Sequence, residues 1–241
     1  MTRFFIDTSH IIGELVTISG ENFDHLKVLR PRIGEVLELC NSDAKVVYNA
    51  EVVEITRRDA QVKIVGQVPA DSESAVKITL FQGVPKGDKM EMIIQKCVEL
   101  GVFRIVPVVT MRTVSQPSSE KKRHRWQKIA QSAAQQSRRD IIPQISDITT
   151  FQDAINELSS FDSVFVAYEC ETDLRASEAF RTAYGENIAL FIGPEGGFEP
   201  NEILELCANN TKSISLGKRI LRTETAAFTA IIILLSTQGE L

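Results

Sequence analysis

Apolar residues in this chain recur with two different periods. From Phe4 to about Val68 the spacing is that of short strands. Val46–Ile55 alternates in part and is rich in valine, Gln61–Val68 repeats the pattern after a turn predicted at 57–59, and Glu35–Cys40 is a shorter strand behind Gly34. One helix is predicted over Glu21–Leu29, with Phe23, Leu26 and Leu29 on one face. Short strands with a single helix predict a small barrel of about 70 residues. The stretch Pro69–Ser74 is polar, holds a proline and small residues, and reads as a linker.

Beyond the linker, strand and helix patterns alternate. Val76–Phe81 is an apolar strand, and Asp88 is placed to cap a helix, with Glu91 completing a capping box. Ile93, Ile94, Cys97, Val98 and Leu100 form that helix's apolar face, and Gly101 ends it. Arg104–Val109, Ser163–Ala167, Ile188–Ile192 and Ser213–Leu216 read as further strands, and Ser119–Ser137 as a long helix. The longest apolar run, Ala226–Leu235, is about half of a membrane span and reads as a buried helix. The expected architecture is therefore a barrel over residues 1–72 and an α/β domain on a mostly parallel sheet over 73–241.

Composition narrows the class. The 241 residues are 43% hydrophobic and 24% charged, which excludes a disordered or fibrous chain. With 27 basic and 32 acidic side chains the net charge is −5, which argues against coating nucleic acid by bulk charge. The charge is uneven, however. Residues 112–139 hold eight basic side chains (Arg112, Lys121, Lys122, Arg123, Arg125, Lys128, Arg138, Arg139) and one acid, Glu120. So few acids nearby leave little local pairing, and an anionic partner becomes as good a reading as a solvated face. Cys40, Cys97, Cys170 and Cys207 lie too far apart for a zinc ribbon or a disulfide framework, and read as reduced thiols of a cytoplasmic protein. His10, His25 and His124 are too dispersed to suggest a metal site.

The strongest local signal is Phe191-Ile-Gly-Pro-Glu-Gly-Gly-Phe198, between an apolar strand and a helix start at Pro200. Glycines at the C-terminal end of a parallel strand let a backbone approach a ligand closely. The chain has no G-x-x-x-x-G-K-[ST] and no G-x-G-x-x-G, so neither a P-loop nor a dinucleotide fold is indicated. A second cluster, Leu216-Gly-Lys-Arg-Ile-Leu-Arg-Thr-Glu-Thr-Ala226, again lies between a short strand and a helix.

Taken together, Gly193-Pro-Glu-Gly-Gly197 and Leu216-Gly-x-Arg-Ile-Leu-Arg-Thr-Glu-Thr225 resemble the SPOUT class of methyltransferases. Lys86-Gly-Asp-Lys-Met-Glu91, Gln95–Gly101, Trp126–Ala130, Arg3-Phe-Phe5 and His25-Leu-Lys-Val-Leu-Arg30 with Gly34 are similar to the bacterial family that methylates N3 of a uridine in small-subunit (16S) ribosomal RNA. The likeness spans nearly the whole chain. Two departures stand out: Gln135-Gln136 replaces the family's usual Glu-Gln, and Gly34-Glu35 its commoner Gly-Asp.

The resemblance implies a PUA-like barrel that grips RNA, an α/β domain with a trefoil knot, a homodimer, and S-adenosylmethionine as cofactor. It implies cofactor contacts at Gly193, Glu195, Gly196, Gly197, Leu216, Gly217, Ile220 and Leu221, with Tyr168 on a neighbouring strand. Neutral uridine N3 carries a proton and is a poor nucleophile, so the site must remove it or stabilise the anion. Arg222 and Arg139 are the candidates for that stabilisation and Glu224 for a base. Arg3, Lys27, Arg30, Arg32, Lys86 and Arg112 are the candidate RNA contacts. Two alternatives stay open: a non-catalytic RNA-binding assembly factor, and a related enzyme acting on transfer RNA.

Overall fold

A computed structural model describes residues 3–114 and 120–241 of the chain; Ser119, the predicted start of the long helix, lies outside them. The described residues divide into two units: Met1–Glu73 with Ala134–Ile142, and Ser74–Ala133 with Pro143–Leu241. The first unit is thus discontinuous, which a single boundary near residue 73 does not anticipate.

In the first unit the strands are β1 (Arg3–Phe5), β2 (Ile11–Ile12), β3 (Leu15–Ser19), β4 (Val36–Asn41), β5 (Val46–Ile55) and β6 (Asp59–Pro69), with helix α1 (Gly20–Val28) between β3 and β4. They form one sheet in the order β1-β4-β5-β6-β3-β2, parallel only between β1 and β4. Among the described residues no pairing joins β1 to β2, so the sheet forms a half-barrel. The turn between β5 and β6 closes with Thr56 N–H donating to the Asp59 carbonyl at 2.8 Å and its hydroxyl to the Asp59 carboxylate at 2.7 Å. Phe4, Val16, Ile18, Phe23, Leu26, Leu39, Val52 and Val62 form the core. Leu29, expected on the buried face of α1, instead follows the helix as its C-cap and is exposed.

Residues 134–142 complete this unit through charge. Arg3 is 8% exposed; its guanidinium bonds Glu38 at 3.2 Å and Asp140 at 2.5 Å. Asp140 also accepts from the Ser72 N–H at 2.6 Å. Glu73, inside the predicted linker, holds the buried Arg139 guanidinium and accepts the Asp140 N–H at 2.8 Å. Removing one partner from such a buried pair costs about 3–5 kcal/mol, because the other charge stays behind.

In the second unit the strands are β7 (Lys77–Gly83), β8 (Arg104–Val109), β9 (Gln144–Ile145), β10 (Thr149–Thr150), β11 (Ser163–Ala167), β12 (Asn187–Ile192) and β13 (Lys212–Ile214). All pairings are parallel, in the order β10-β8-β7-β12-β11-β13 with β9 beside β8. The four longer strands, β7, β8, β11 and β12, are near-continuous apolar runs, as a sheet covered on both faces requires. Phe81 and Phe191 face each other across β7 and β12, with stacked rings 4.4 Å apart. Helices α2 (Lys89–Glu99) and α5 (Ala176–Arg181) both pack against α7 (Thr223–Gln238), whereas α4 (Phe151–Asn156) and α6 (Pro200–Ala208) bury Ala154, Ile155, Ile203 and Leu206 in the cluster around Phe81 and Phe191. The remaining helix, α3 (Glu120–Gln136), carries the chain from the second unit back into the first.

Two local expectations fail. Asp88 stands at the N-cap of α2 with φ −93° and ψ 8°, and its side chain caps nothing; Glu91 binds Arg125 at 2.8 Å instead. The capping box belongs to α6, where Pro200 opens the helix and the Glu202 carboxylate accepts the Glu199 N–H at 2.8 Å. The apolar run at 226–235 lies within α7 and buries Ala227, Ala230, Ile231, Leu234 and Leu235. Among the described residues no helix is long and apolar enough to cross a membrane.

Candidate active site

Parallel strands leave their ligand sites at their C-terminal ends, where neighbouring connections depart in opposite directions. Here β7 and β12 are neighbours, and the loops after β11, β12 and β13 converge at that end of the sheet. They enclose a cleft of about 530 Å³. Its walls include Tyr168 and Glu169 after β11, Gly193–Gly197 after β12, and Leu216–Arg222 after β13, with Lys89 of α2 and Thr223 and Ala226 of α7.

The glycine loop is shaped by what surrounds it. A Cβ on Gly193 would lie 3.0 Å from the Gly197 backbone, and one on Gly83 would lie 2.5 Å from Pro194 Cδ. Gly197 has φ +70°, a left-handed conformation, and a Cβ there would strike the Glu169 carboxylate. Two buried side chains tie the loop down. Thr223, 5% exposed, donates its hydroxyl proton to the Gly193 carbonyl at 2.6 Å. Gln82, fully buried, donates to the Thr223 hydroxyl at 2.9 Å and to the Gly83 carbonyl at 3.0 Å.

Charged groups fix the loop's outer side. Glu195 accepts from the Lys89 ammonium at 2.7 Å and from the Lys86 N–H at 3.1 Å. Burial alone would push its carboxyl up, but Lys89 and the backbone N–H groups outweigh that and hold it below the usual carboxylate range. Arg112 bonds Glu199 at 2.8 Å and the Gly196 carbonyl at 2.6 Å. The hydrogen bond to Arg112 lowers the Glu199 carboxyl, and the one to Glu199 raises Arg112. The Tyr168 hydroxyl is pushed up, first by its hydrogen bond with Cys170 and then by burial.

All nine residues expected to meet a cofactor therefore line one cleft: Tyr168, Gly193, Glu195, Gly196, Gly197, Leu216, Gly217, Ile220 and Leu221. Within it Ile220 is 85% exposed, and the Glu195 carboxylate is committed to Lys86 and Lys89. The residues expected to carry the chemistry have three different settings. Arg222 lines the cleft, exposed, at the N-cap of α7. Glu224 does not line it, and its Oε2 is buried without a hydrogen-bond partner. Arg139 is held by Glu73 within the first unit.

The expected RNA contacts divide likewise. Arg3 is built into the first unit's interior and has no exposed guanidinium to offer. Lys27 is exposed, 2.8 Å from Asp24 and above the Phe23 ring. Arg30, at φ +51°, and Arg32 are exposed. In the second unit Lys86 is exposed, whereas Arg112 braces the glycine loop. Sequence reading missed Gln82, Thr223, Lys89 and Glu169. Thr223 and Lys89 stood in quoted motifs without a role of their own, and Gln82 and Glu169 act through contacts between distant segments. Among the described residues no three His, Cys, Asp or Glu side chains form a group able to hold a metal.

Comparison with known proteins agrees with this arrangement. The sequence model of an RNA methyltransferase domain matches residues 72–235, and that of an RNA methyltransferase PUA domain matches residues 18–65. Ribosomal RNA small subunit methyltransferase E of Bacillus subtilis is 34% identical over 96% of this chain and 94% of its own length. The Synechocystis protein of that name is 32% identical over 95% of this chain and 75% of its own length. The crystal structure of ribosomal RNA small subunit methyltransferase E from Neisseria gonorrhoeae bound to S-adenosyl methionine is 31% identical, with a TM-score of 0.86 over 98% of this chain and 97% of that one. A cleft built by paired loops at the ends of β12 and β13, an RNA methyltransferase domain over most of the chain and full-length relatives under one name lead to one conclusion: the chain belongs to the ribosomal RNA small subunit methyltransferase E family.

Proposed function

We propose that this protein transfers a methyl group from S-adenosylmethionine to N3 of a uridine in 16S ribosomal RNA. The observation that carries the reading is the glycine cradle with Arg222 on its rim. The cradle suits the cofactor chemically. Gly193, Gly196 and Gly197 leave backbone open to a ligand, and Ile192, Leu216, Leu221 and Ala226 offer apolar walls for an adenine ring. The cofactor, when bound, supplies an electrophilic methyl on a sulfonium sulfur.

The chain's own part is to orient and to stabilise charge. Arg222 would stabilise the uridine anion and so favour loss of the N3 proton to water, leaving the nitrogen lone pair free to displace the sulfur, which leaves as the neutral thioether, from the methyl. Holding nitrogen and methyl in line supplies the remaining acceleration. A uridine whose N3 is paired must leave its helix first. Lys27, Arg30 and Arg32 of the PUA domain and Lys86 near the cleft are the phosphate contacts in this reading, so binding weakens with salt.

The reading also includes a trefoil knot in the SPOUT manner where residues 193–197 and 216–223 meet, supported by the close approach of Gly83 and Pro194 and by the Thr223–Gly193 bond. A homodimer is supported by α7, which is apolar on all sides yet leaves Phe228 half-buried and Ile232 44% exposed. The substrate places the enzyme in the cytoplasm. The test is methyl transfer from labelled S-adenosylmethionine to small subunits of a strain lacking this gene, with the modified nucleoside identified by mass spectrometry. A 3-methyluridine in 16S RNA is the expected product. Cofactor binding without transfer to it, or transfer to transfer RNA instead, defeats the proposal.

A further inference from the structure

The departure at Gln135 sits in a hydrogen-bonded relay inside the first unit. Asn22 Nδ2 donates to the Phe5 carbonyl at 3.0 Å. A carbonyl only accepts, so the Asn22 amide is oriented and its Oδ1 faces the other way. Gln135 Nε2 donates to that oxygen at 3.4 Å. The Gln135 amide is oriented in turn, and its Oε1 meets His25 Nδ1 at 3.0 Å. An amide oxygen cannot donate, so His25 Nδ1 must carry the proton. Gln135 is 4% exposed, and the fully buried Phe4 ring stands edge-on to the imidazole, with centroids 5.6 Å apart. The ring is thus held from two sides.

Its other nitrogen is left available. His25 Nε2 meets no donor or acceptor among the described residues, and it is not one of the enclosed unpartnered atoms. With the proton fixed on Nδ1, Nε2 of the neutral ring is a bare lone pair reaching solvent. It stands on α1, two residues before Lys27 and five before Arg30, two of the phosphate contacts proposed above.

We propose that His25 Nε2 accepts a hydrogen bond from bound RNA, from a ribose 2′-hydroxyl or a base amine, and that Gln135 positions it by fixing the tautomer. The lysine and arginines beside it offer only donors, which suit phosphate oxygens; an acceptor reads the opposite chemistry. The amide therefore sets the sign of this contact. The proposal rests on the RNA reading of the chain.

The test has a spectroscopic arm and a binding arm. Long-range proton–nitrogen NMR on the full-length protein at neutral pH should show Nδ1 protonated and Nε2 bare; a bare Nδ1 overturns the proposal. H25A should weaken binding of single-stranded RNA by about 2- to 12-fold, the loss of one hydrogen bond. Oligouridine, its deoxy counterpart and oligocytidine separate the sources. A 2′-hydroxyl donor gives a loss on both ribose strands and none on the deoxy strand. A base amine gives a loss on cytidine alone. Equal affinities for wild type and H25A on every strand overturn the proposal while leaving the RNA reading intact. A wild type that binds no RNA overturns both. Q135M, which keeps the side chain's bulk but offers no amide oxygen, should shift the imidazole toward the Nε2-protonated form and reproduce the H25A loss. If circular dichroism finds Q135M unfolded, N22A, which frees the Gln135 amide to turn, serves in its place.

Discussion

Thr223→Val tests whether the glycine cradle is held by the hydrogen bonds beneath it. Valine keeps the shape of threonine but has no hydroxyl, so the Gly193 carbonyl loses its 2.6 Å donor and Gln82 Nε2 loses its 2.9 Å acceptor. Gln82 keeps the Gly83 carbonyl at 3.0 Å and a 3.4 Å approach to Gly193, so the loss is partly made good. Two buried hydrogen bonds at about 0.5–1.5 kcal/mol each, less that compensation, give about 1–2 kcal/mol. For a unit of this size the melting temperature should fall by about 2–8 °C. Affinity for S-adenosylmethionine should drop several-fold, with about 30-fold as the ceiling that about 2 kcal/mol allows. Differential scanning calorimetry and a calorimetric cofactor titration read the two effects, and Thr223→Ser, which keeps the hydroxyl, should restore both. A valine variant that melts with the wild type and binds the cofactor equally well would refute the reasoning, because the loop would then owe its shape to backbone contacts alone.

Three further outcomes follow from the site. Arg222→Ala should melt and bind cofactor as the wild type does but lose about 10²–10³-fold in methyl transfer, the range for a single charge-stabilising donor; unchanged turnover removes Arg222 from the mechanism. Gly197→Ala should cost about 1–2 kcal/mol of backbone strain and push the Glu169 carboxylate aside, lowering cofactor affinity by up to about 30-fold in the same titration. Gly217→Ala, at φ +118° with no atom near its Cβ, should show the strain in a thermal melt but retain most of the affinity. In native protein an aromatic disulfide reagent should titrate two thiols, the exposed Cys170 and Cys207, and four after unfolding. Burial pushes Cys40 up to about 11 and Cys97 higher still, so neither forms thiolate at neutral pH; fast reaction of a third thiol in the native state contradicts this.

Where local pattern decides structure, the sequence was readable. The strands Arg104–Val109 and Ser163–Ala167 stand where alternation and apolar runs placed them. The glycine and arginine loops met because each ended a strand of a parallel sheet, and such ends lie side by side. What escaped depends on partners far along the chain. The basic stretch 112–139 looked short of acids, yet Arg112 pairs with Glu199, Arg123 with Asp147, Arg125 with Glu91, and Arg139 with Glu73. Arg3 and Arg139 read as RNA contact and catalyst through the family resemblance, Arg3 from Arg3-Phe-Phe5 and Arg139 from the end of the basic stretch. Their burial follows from Asp140 and Glu73, which no local charge count could bring to them. The box at Asp88 failed because the residue's backbone is not extended, and propensity alone does not determine that.

The discontinuity of the first unit has a consequence for biosynthesis. Its sheet is encoded before residue 73, but Asp140, which closes the Arg3 network and receives the Ser72 N–H, is 67 residues beyond Glu73. At a bacterial pace of about 5–20 residues per second, the nascent sheet waits roughly 3–13 s with Arg3 and Glu73 lacking those partners. A fragment cut after Glu73 is for the same reason an interrupted domain rather than a shortened one, and an expression vector meant to isolate the first unit has to carry residues 134–142 as well.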